Sequence, residues 1–260
     1  MSHRFRRFWA AHGASLVATE LGAFVLPVLA VINLNANPAE VGLIATAQWL
    51  PFLFLALPFG VIVDRVRSKP VLVSAAAGRA LLAGLISASF GLQVASVPLL
   101  LVLTFLVGTC TVIYEVTYQS FVPQLVDREA LERANARLQG TMAVAQVGGP
   151  GAGGALVRIL GAPLAVALEA VIHAVSAALL ASIPRAGART TRPDRRSTPP
   201  AGRVVRFWTE LKSGLRTLAG DRYLLALAGY SGISNLFEQW IRVLLTIYAV
   251  RDLAIGAVGL

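Results

Sequence analysis

Two apolar runs, residues 41–63 and 71–92, flank the stretch Gly60-Val-Ile-Val-Asp64-Arg65-Val-Arg67-Ser68-Lys69-Pro70. About 20 apolar residues in a helix rising 1.5 Å per residue cross a hydrocarbon core of ~30 Å. Inside that core no water satisfies the backbone, so such a run must close its own hydrogen bonds as a helix. The same pattern recurs along the chain and predicts helices over residues 8–34, 40–63, 70–92, 99–121, 138–160 and 164–183, with Pro27 as a kink in the first. Only 14% of the residues are charged and 56% are apolar, whereas a soluble domain carries about 25% charge. The fold class predicted is all-α integral membrane, with six helices in the first part of the chain.

The segments between the runs set the topology. The basic head with Arg4, Arg6 and Arg7 precedes a run too long for the apolar core of a signal peptide. Residues 93–98 form an uncharged turn, Pro123 breaks the fourth helix before a charged segment at 127–137, and Gly161-Ala162-Pro163 is a tight turn. Residues 1–183 therefore read as a six-helix transmembrane half, and 184–222 as a cytoplasmic linker rich in arginine, threonine and proline. Within the linker, Phe207, Trp208, Leu211, Leu215 and Leu218 recur at helical spacing, the pattern of an amphipathic helix lying on the membrane surface. Residues 223–260 read as a seventh helix and the opening of an eighth. Of the 23 lysines and arginines, 19 fall in the head, the 2–3 loop, the 4–5 segment and the linker, which places all four in the cytoplasm. Topology thus accounts for the formal charge of +10, and nucleic acid is not a predicted partner. The lone Cys110 lies in an apolar run and reads as a small buried residue.

Six helices, a basic linker and further helices resemble the plan of the major facilitator superfamily. The 60–70 stretch is similar to that family's loop Gly-x-x-x-Asp-Arg-x-Gly-Arg-Lys/Arg. Gly60, Asp64, Arg65 and Lys69 match it, while Arg67 and Ser68 stand where glycine and arginine are usual. Gly149-Pro150-Gly151-Ala152-Gly153-Gly154 contains the Gly-Pro-x-x-Gly-Gly core of the antiporter branch, with Ala145 in place of its preceding glycine. Tyr118-Gln119-Ser120-Phe121-Val122-Pro123, Asn135 and Ala145-Gln146 resemble bacterial exporters of the enterobactin and macrolide efflux type.

The resemblance implies a secondary transporter of the bacterial plasma membrane, exporting a drug-like or siderophore-like compound against protons. It implies that Asp64 meets a helix N-terminus of a second half, as a latch, with Arg65 or Arg67 held by an acid such as Glu115. It also implies that the glycine face of helix 5 packs on a helix of that second half, which this reading requires as a partner. As a packing element alone, the Gly149–Gly154 run lets backbones approach closely and Pro150 bends the helix.

Charges inside apolar runs are rare, because one at the membrane centre costs at least about 2.5–3.5 kcal/mol. Glu20, Arg79, Glu115, Glu169 and Glu238 are of this kind. Arg79 lies about 13 Å into its helix by helical rise, too deep to reach the surface, and Glu20 is its predicted acid. Glu238 with Arg242, and Glu169 with His173, are spaced i, i+4. The first pair is either self-contained or cavity-lining. The second is either a proton relay or a packing histidine beside an acid. Glu20, Glu115 and Glu169 all remain candidates for the proton-carrying acid. No glycine-rich loop ending in Lys-Ser/Thr and no metal-ligand spacing is present, so no cofactor is predicted. The rival classes are a non-transporting sensor or scaffold on the same fold and an intramembrane enzyme using Glu169 and His173.

Overall fold

The computed structural model describes residues 2–63, 66–184, 216, 220–227, 229–234 and 237. The first unit contains six helices: α1 (His3–Leu34), α2 (Pro38–Val63), α3 (Ser68–Gly91), α4 (Val97–Phe121), α5 (Leu131–Leu160) and α6 (Ala162–Ala181). Two short 3-10 turns, Val122–Gln124 and Arg128–Ala130, join α4 to α5. Helix α1 packs on α5 and α6, α3 packs on α4 and α6, and α2 lies against α4. The predicted all-α membrane fold is the observed one.

Local chemistry sets the helix ends. Ser2 caps α1: its Oγ accepts the Phe5 N–H at 3.2 Å and donates to the Leu125 carbonyl at 3.1 Å. The basic head is therefore the first two turns of α1, so the helix starts at His3 rather than residue 8. At the other end Asn35, with φ of 51°, adopts the left-handed conformation that closes many helices. Asn37 and Glu40 then form a reciprocal capping box for α2, with bonds of 3.0 and 2.8 Å. Helix α5 begins at Leu131, seven residues before the predicted start, because its polar first turns are helical too. Glu132 sits in that first turn, where a carboxylate favours the helix N-terminus. Gly161 at φ 83° makes the reversal into α6, and Pro163 falls in the first turn of that helix, where its missing N–H is harmless.

Among the described residues, five helices are long and apolar enough to cross a membrane, and α5 is not one of them. Its middle spends its positions on glycine and alanine instead of large apolar side chains, and the packing around it shows why. Trp9 Nε1 donates to Thr141 Oγ1 at 2.8 Å. A methyl group on Gly13 would lie 3.3 Å from Thr141 Cγ2, one on Gly149 would lie 2.5 Å from Glu20 Cβ, and one on Gly153 would lie 3.0 Å from the Phe24 ring. Ala145 is buried one turn before Gly149. Thr141, Ala145, Gly149 and Gly153 thus form an i, i+4 row of small residues facing α1, the close-packed seam typical of membrane helices. This corrects the expectation that the Gly149–Gly153 face awaits a second half. On the opposite side of α5 a methyl group on Gly148 or Gly151 would meet nothing within 4 Å among the described residues, and Val144 and Val147 are exposed.

The second unit covers residues 187–260. In it Asp221 caps a helix beginning at Arg222, its Oδ1 accepting the N–H groups of Tyr223 at 2.8 Å and Leu224 at 3.3 Å. The predicted surface helix at 203–218, apart from Arg216, and the predicted eighth helix lie outside the described residues, as do Glu238 and Arg242.

A polar layer between two apolar clusters

Most of the buried apolar residues described in the first unit fall into two clusters along the helices. One lies towards the amino-terminal end and includes Phe5, Phe8, Leu72, Tyr114, Phe121 and Leu180. The other lies towards the far end and includes Val25, Leu26, Leu29, Ile86, Leu100 and Val166. On α1, α3 and α6 the buried polar side chains His12, Ser15, Arg79, Glu169, His173 and Ser176 fall in the sequence interval between the two sets.

Arg79 is the centre of this layer. It is 1% exposed; its Nη2 donates to Ser15 Oγ at 2.8 Å and its Nη1 to Thr19 Oγ1 at 3.4 Å. Its guanidinium carbon lies 4.2 Å from the centre of the Tyr114 ring, a cation–π contact. Its described contacts are two hydroxyls of α1 and a tyrosine of α4 rather than the predicted Glu20. Glu20 instead sits at the α1–α5 seam, its Cβ against Gly149.

Glu169 and His173 are brought together on α6, Oε1 standing 3.7 Å from Nε2, with both side chains buried. The Glu169 carboxylate fills the space left by Gly22, where a methyl group would fall within 2.5–2.7 Å of all three of its terminal atoms. Ser176 donates to the Ala11 carbonyl at 2.7 Å and ties α6 to α1 below the pair. Among the described residues, Arg79 Nε, Thr104 Oγ1, Glu169 Oε2 and His173 Nδ1 are buried without a hydrogen-bond partner. Glu115 is half-buried on α4, one residue beyond Tyr114.

His12 belongs to the layer without having been singled out by sequence. Its ring stacks on Phe8 at 5.7 Å and on Tyr114 at 5.8 Å, and lies 4.6 Å from Tyr118. Its Nδ1 is 3.3 Å from the Tyr114 hydroxyl. The signal was available: His12, Ser15, Thr19 and Gly22 repeat at three- and four-residue steps along an apolar helix, one polar face of α1.

Only part of the charged loop is described. Asp64 and Arg65 lie outside the described residues. A methyl group on Gly60 would meet nothing within 4 Å. Arg67 is exposed at the start of α3, and among the described residues it makes no bond to Glu115. Lys69 reaches the end of α6, donating to the Ala181 carbonyl at 2.8 Å and the Ile183 carbonyl at 2.5 Å. Arg7 Nη1 donates to the Ser182 carbonyl at 2.9 Å beside them. Two cations from α1 and α3 therefore bind the unpaired carbonyls that close α6, where positive charge also suits the helix dipole.

The layer brings together a buried cation, an acid–imidazole pair and hydroxyls between four membrane helices. A sequence comparison with curated proteins gives no match. The sequence profile of the Major Facilitator Superfamily matches residues 8–260, nearly the whole chain. With six helices, a buried charge layer and a profile match of that extent, the chain belongs to the Major Facilitator Superfamily of membrane transporters.

Proposed function

We propose that this protein is a proton-coupled exporter of a small amphipathic compound, drug-like or siderophore-like, working by alternating access in a bacterial plasma membrane with its amino terminus in the cytoplasm. The observation that carries the reading is the Glu169–His173 pair, a titratable acid and imidazole 3.7 Å apart and buried beside Arg79 in the layer. A buried ionisable pair in a membrane helix is a feature of ion pathways and relays. The Gly-Pro-x-x-Gly-Gly core at 149–154 favours the antiporter branch by analogy. In this reading a second helical half faces the first across the substrate path. Asp64 and Arg65 act as the latch to that half, while Glu238 and Arg242 belong to its first helix. The protein is not an enzyme on this reading, and it uses no cofactor.

The test uses inside-out membrane vesicles carrying the transporter and a fluorescent amphipathic dye as probe. Dye accumulates while the vesicle interior is acid and leaks back when the proton gradient is collapsed. Accumulation unchanged by collapse overturns proton coupling. Absence of any dye movement or exchange across a panel of amphipathic probes favours the sensor or scaffold reading.

A further inference from the structure

Settled protein cores leave few buried polar atoms unbonded. Of the four such atoms among the described residues, three lie in this layer, and two of those belong to one pair: Glu169 Oε2 and His173 Nδ1. Their inner atoms face each other, Oε1 to Nε2 at 3.7 Å, so the free atoms are the two outer ends of a short line of four. We infer that Glu169 and His173 are the proton-binding element of this transporter, with His173 Nδ1 as the entry atom and Glu169 as the store. The inference rests on the proton-coupled reading and selects among its three candidate acids.

The step balances without any other reactant. A proton from the aqueous phase bonds to Nδ1, and the ring carries a positive charge. The Nε2–H bond then breaks as that proton passes to Oε1, leaving a neutral imidazole in its other tautomer and a neutral carboxylic acid. The pair changes from −1 to 0, and release runs the same bonds backwards. Imidazole suits this task because its two nitrogens exchange roles when one gains a proton.

Position distinguishes Glu169 from the other acids. It is 3% exposed, whereas Glu20 and Glu115 are half-buried. Helix α1 faces it with Gly22, which has no side chain, and α6 offers His173. Arg79 of α3 is the charge that acts on it from another helix, and the same arginine acts on Glu115 of α4. Protonating Glu169 therefore leaves Arg79 to Glu115, to Tyr114 and to the hydroxyls of Ser15 and Thr19, a local change of balance between α6 and α4. A sodium ion fits the place poorly. Hard cations take several oxygen ligands, and here the described neighbours of the carboxylate are an imidazole nitrogen and a glycine. Among the described residues no group of three metal-ligating side chains occurs.

The experiment is an infrared pH titration of the full chain in lipid nanodiscs, with protons and deuterons as the only probe. The expected result is a titrating carboxylic-acid carbonyl band that disappears in Glu169→Gln and survives in Glu20→Gln and Glu115→Gln. In His173→Phe the band remains and its midpoint moves by about one pH unit, as expected for losing a polar neighbour in a dry site. A band that persists in Glu169→Gln, or vanishes in Glu115→Gln or Glu20→Gln alone, overturns the assignment. Where Glu169→Gln does not assemble, His173→Phe decides: an unmoved midpoint overturns the pair. The dye experiment fails independently of this one. Uncoupled dye movement removes the transport reading and leaves a titrating pair, whereas an intact band in Glu169→Gln removes the pair and leaves coupling to another acid.

Discussion

The two apolar clusters on either side of Arg79 are built from different materials. The amino-terminal cluster is aromatic: Phe8 meets Phe121 edge-on at 5.5 Å, and Phe8, His12 and Tyr114 stack in sequence. It is also fastened by bonds, from Ser2 to Leu125, Arg7 to Ser182 and Lys69 to Ala181 and Ile183. The buried members of the far cluster are all aliphatic, with Phe24 and Phe90 only partly buried against it. Lipid tails are as apolar as leucine, so burial alone gives helices little reason to associate in a membrane. Directional contacts and close fit must supply it. The amino-terminal end has both, each aromatic pair adding about 0.5–1.5 kcal/mol beyond its area. The far end has fewer directional contacts, among them the bond from Ser87 Oγ to the Pro163 carbonyl at 2.8 Å. It relies more on fit, which α2 and α4 supply where Gly108 lets the Gln48 backbone and Pro51 come close.

The strongest test of this contrast removes what lies between the clusters. Arg79→Leu should lower the thermal stability of the detergent-solubilised protein severely, on the order of 3–5 kcal/mol, because Glu169 remains buried without the cation that acts on it. An unchanged melting temperature would show that the layer does not join the clusters. Next in size is Gly108→Ala. A methyl group there would lie 3.0 Å from the Gln48 carbonyl carbon and closer still to its oxygen. Backbone cannot turn aside as a side chain can, so a loss of about 1–3 kcal/mol is expected, with faster hydrogen exchange in α2 than in α6. The smallest effect should come from Lys69→Met, which keeps the apolar stem and drops two bonds to helix-end carbonyls, about 1 kcal/mol. Exchange should rise only in the last turn of α6. A rise spreading to the far cluster would mean that the two ends are not separately held.

Helices were legible in the sequence because length and hydropathy are properties of a single segment. Partners were not, because they depend on which faces meet. Arg79 was readable as a deep, buried cation, yet its acceptors turned out to be Ser15, Thr19 and the face of Tyr114. Hydroxyls and rings are common enough in any membrane helix to pass unnoticed. The charge of an arginine suggests an acid as its partner, but its five donors accept any suitably placed oxygen. The α5 glycines were readable as a close-packing element, and the choice of α1 as the surface they meet was not. Their spacing fixes only that a row of small residues exists. The first turns of α1 and α5 were missed for a related reason: polar residues continue a helix past the apolar limit that marks the membrane.

The fastening of α6 has a mechanical consequence. The described part of the first unit ends at Pro184, directly after the carbonyls of Ala181, Ser182 and Ile183 that Lys69 and Arg7 grip. Tension applied to the segment beyond that point is therefore shared by three helices, since Arg7 belongs to α1 and Lys69 to α3. A pull that would otherwise unwind the last turn of one helix is opposed by bonds to two others as well.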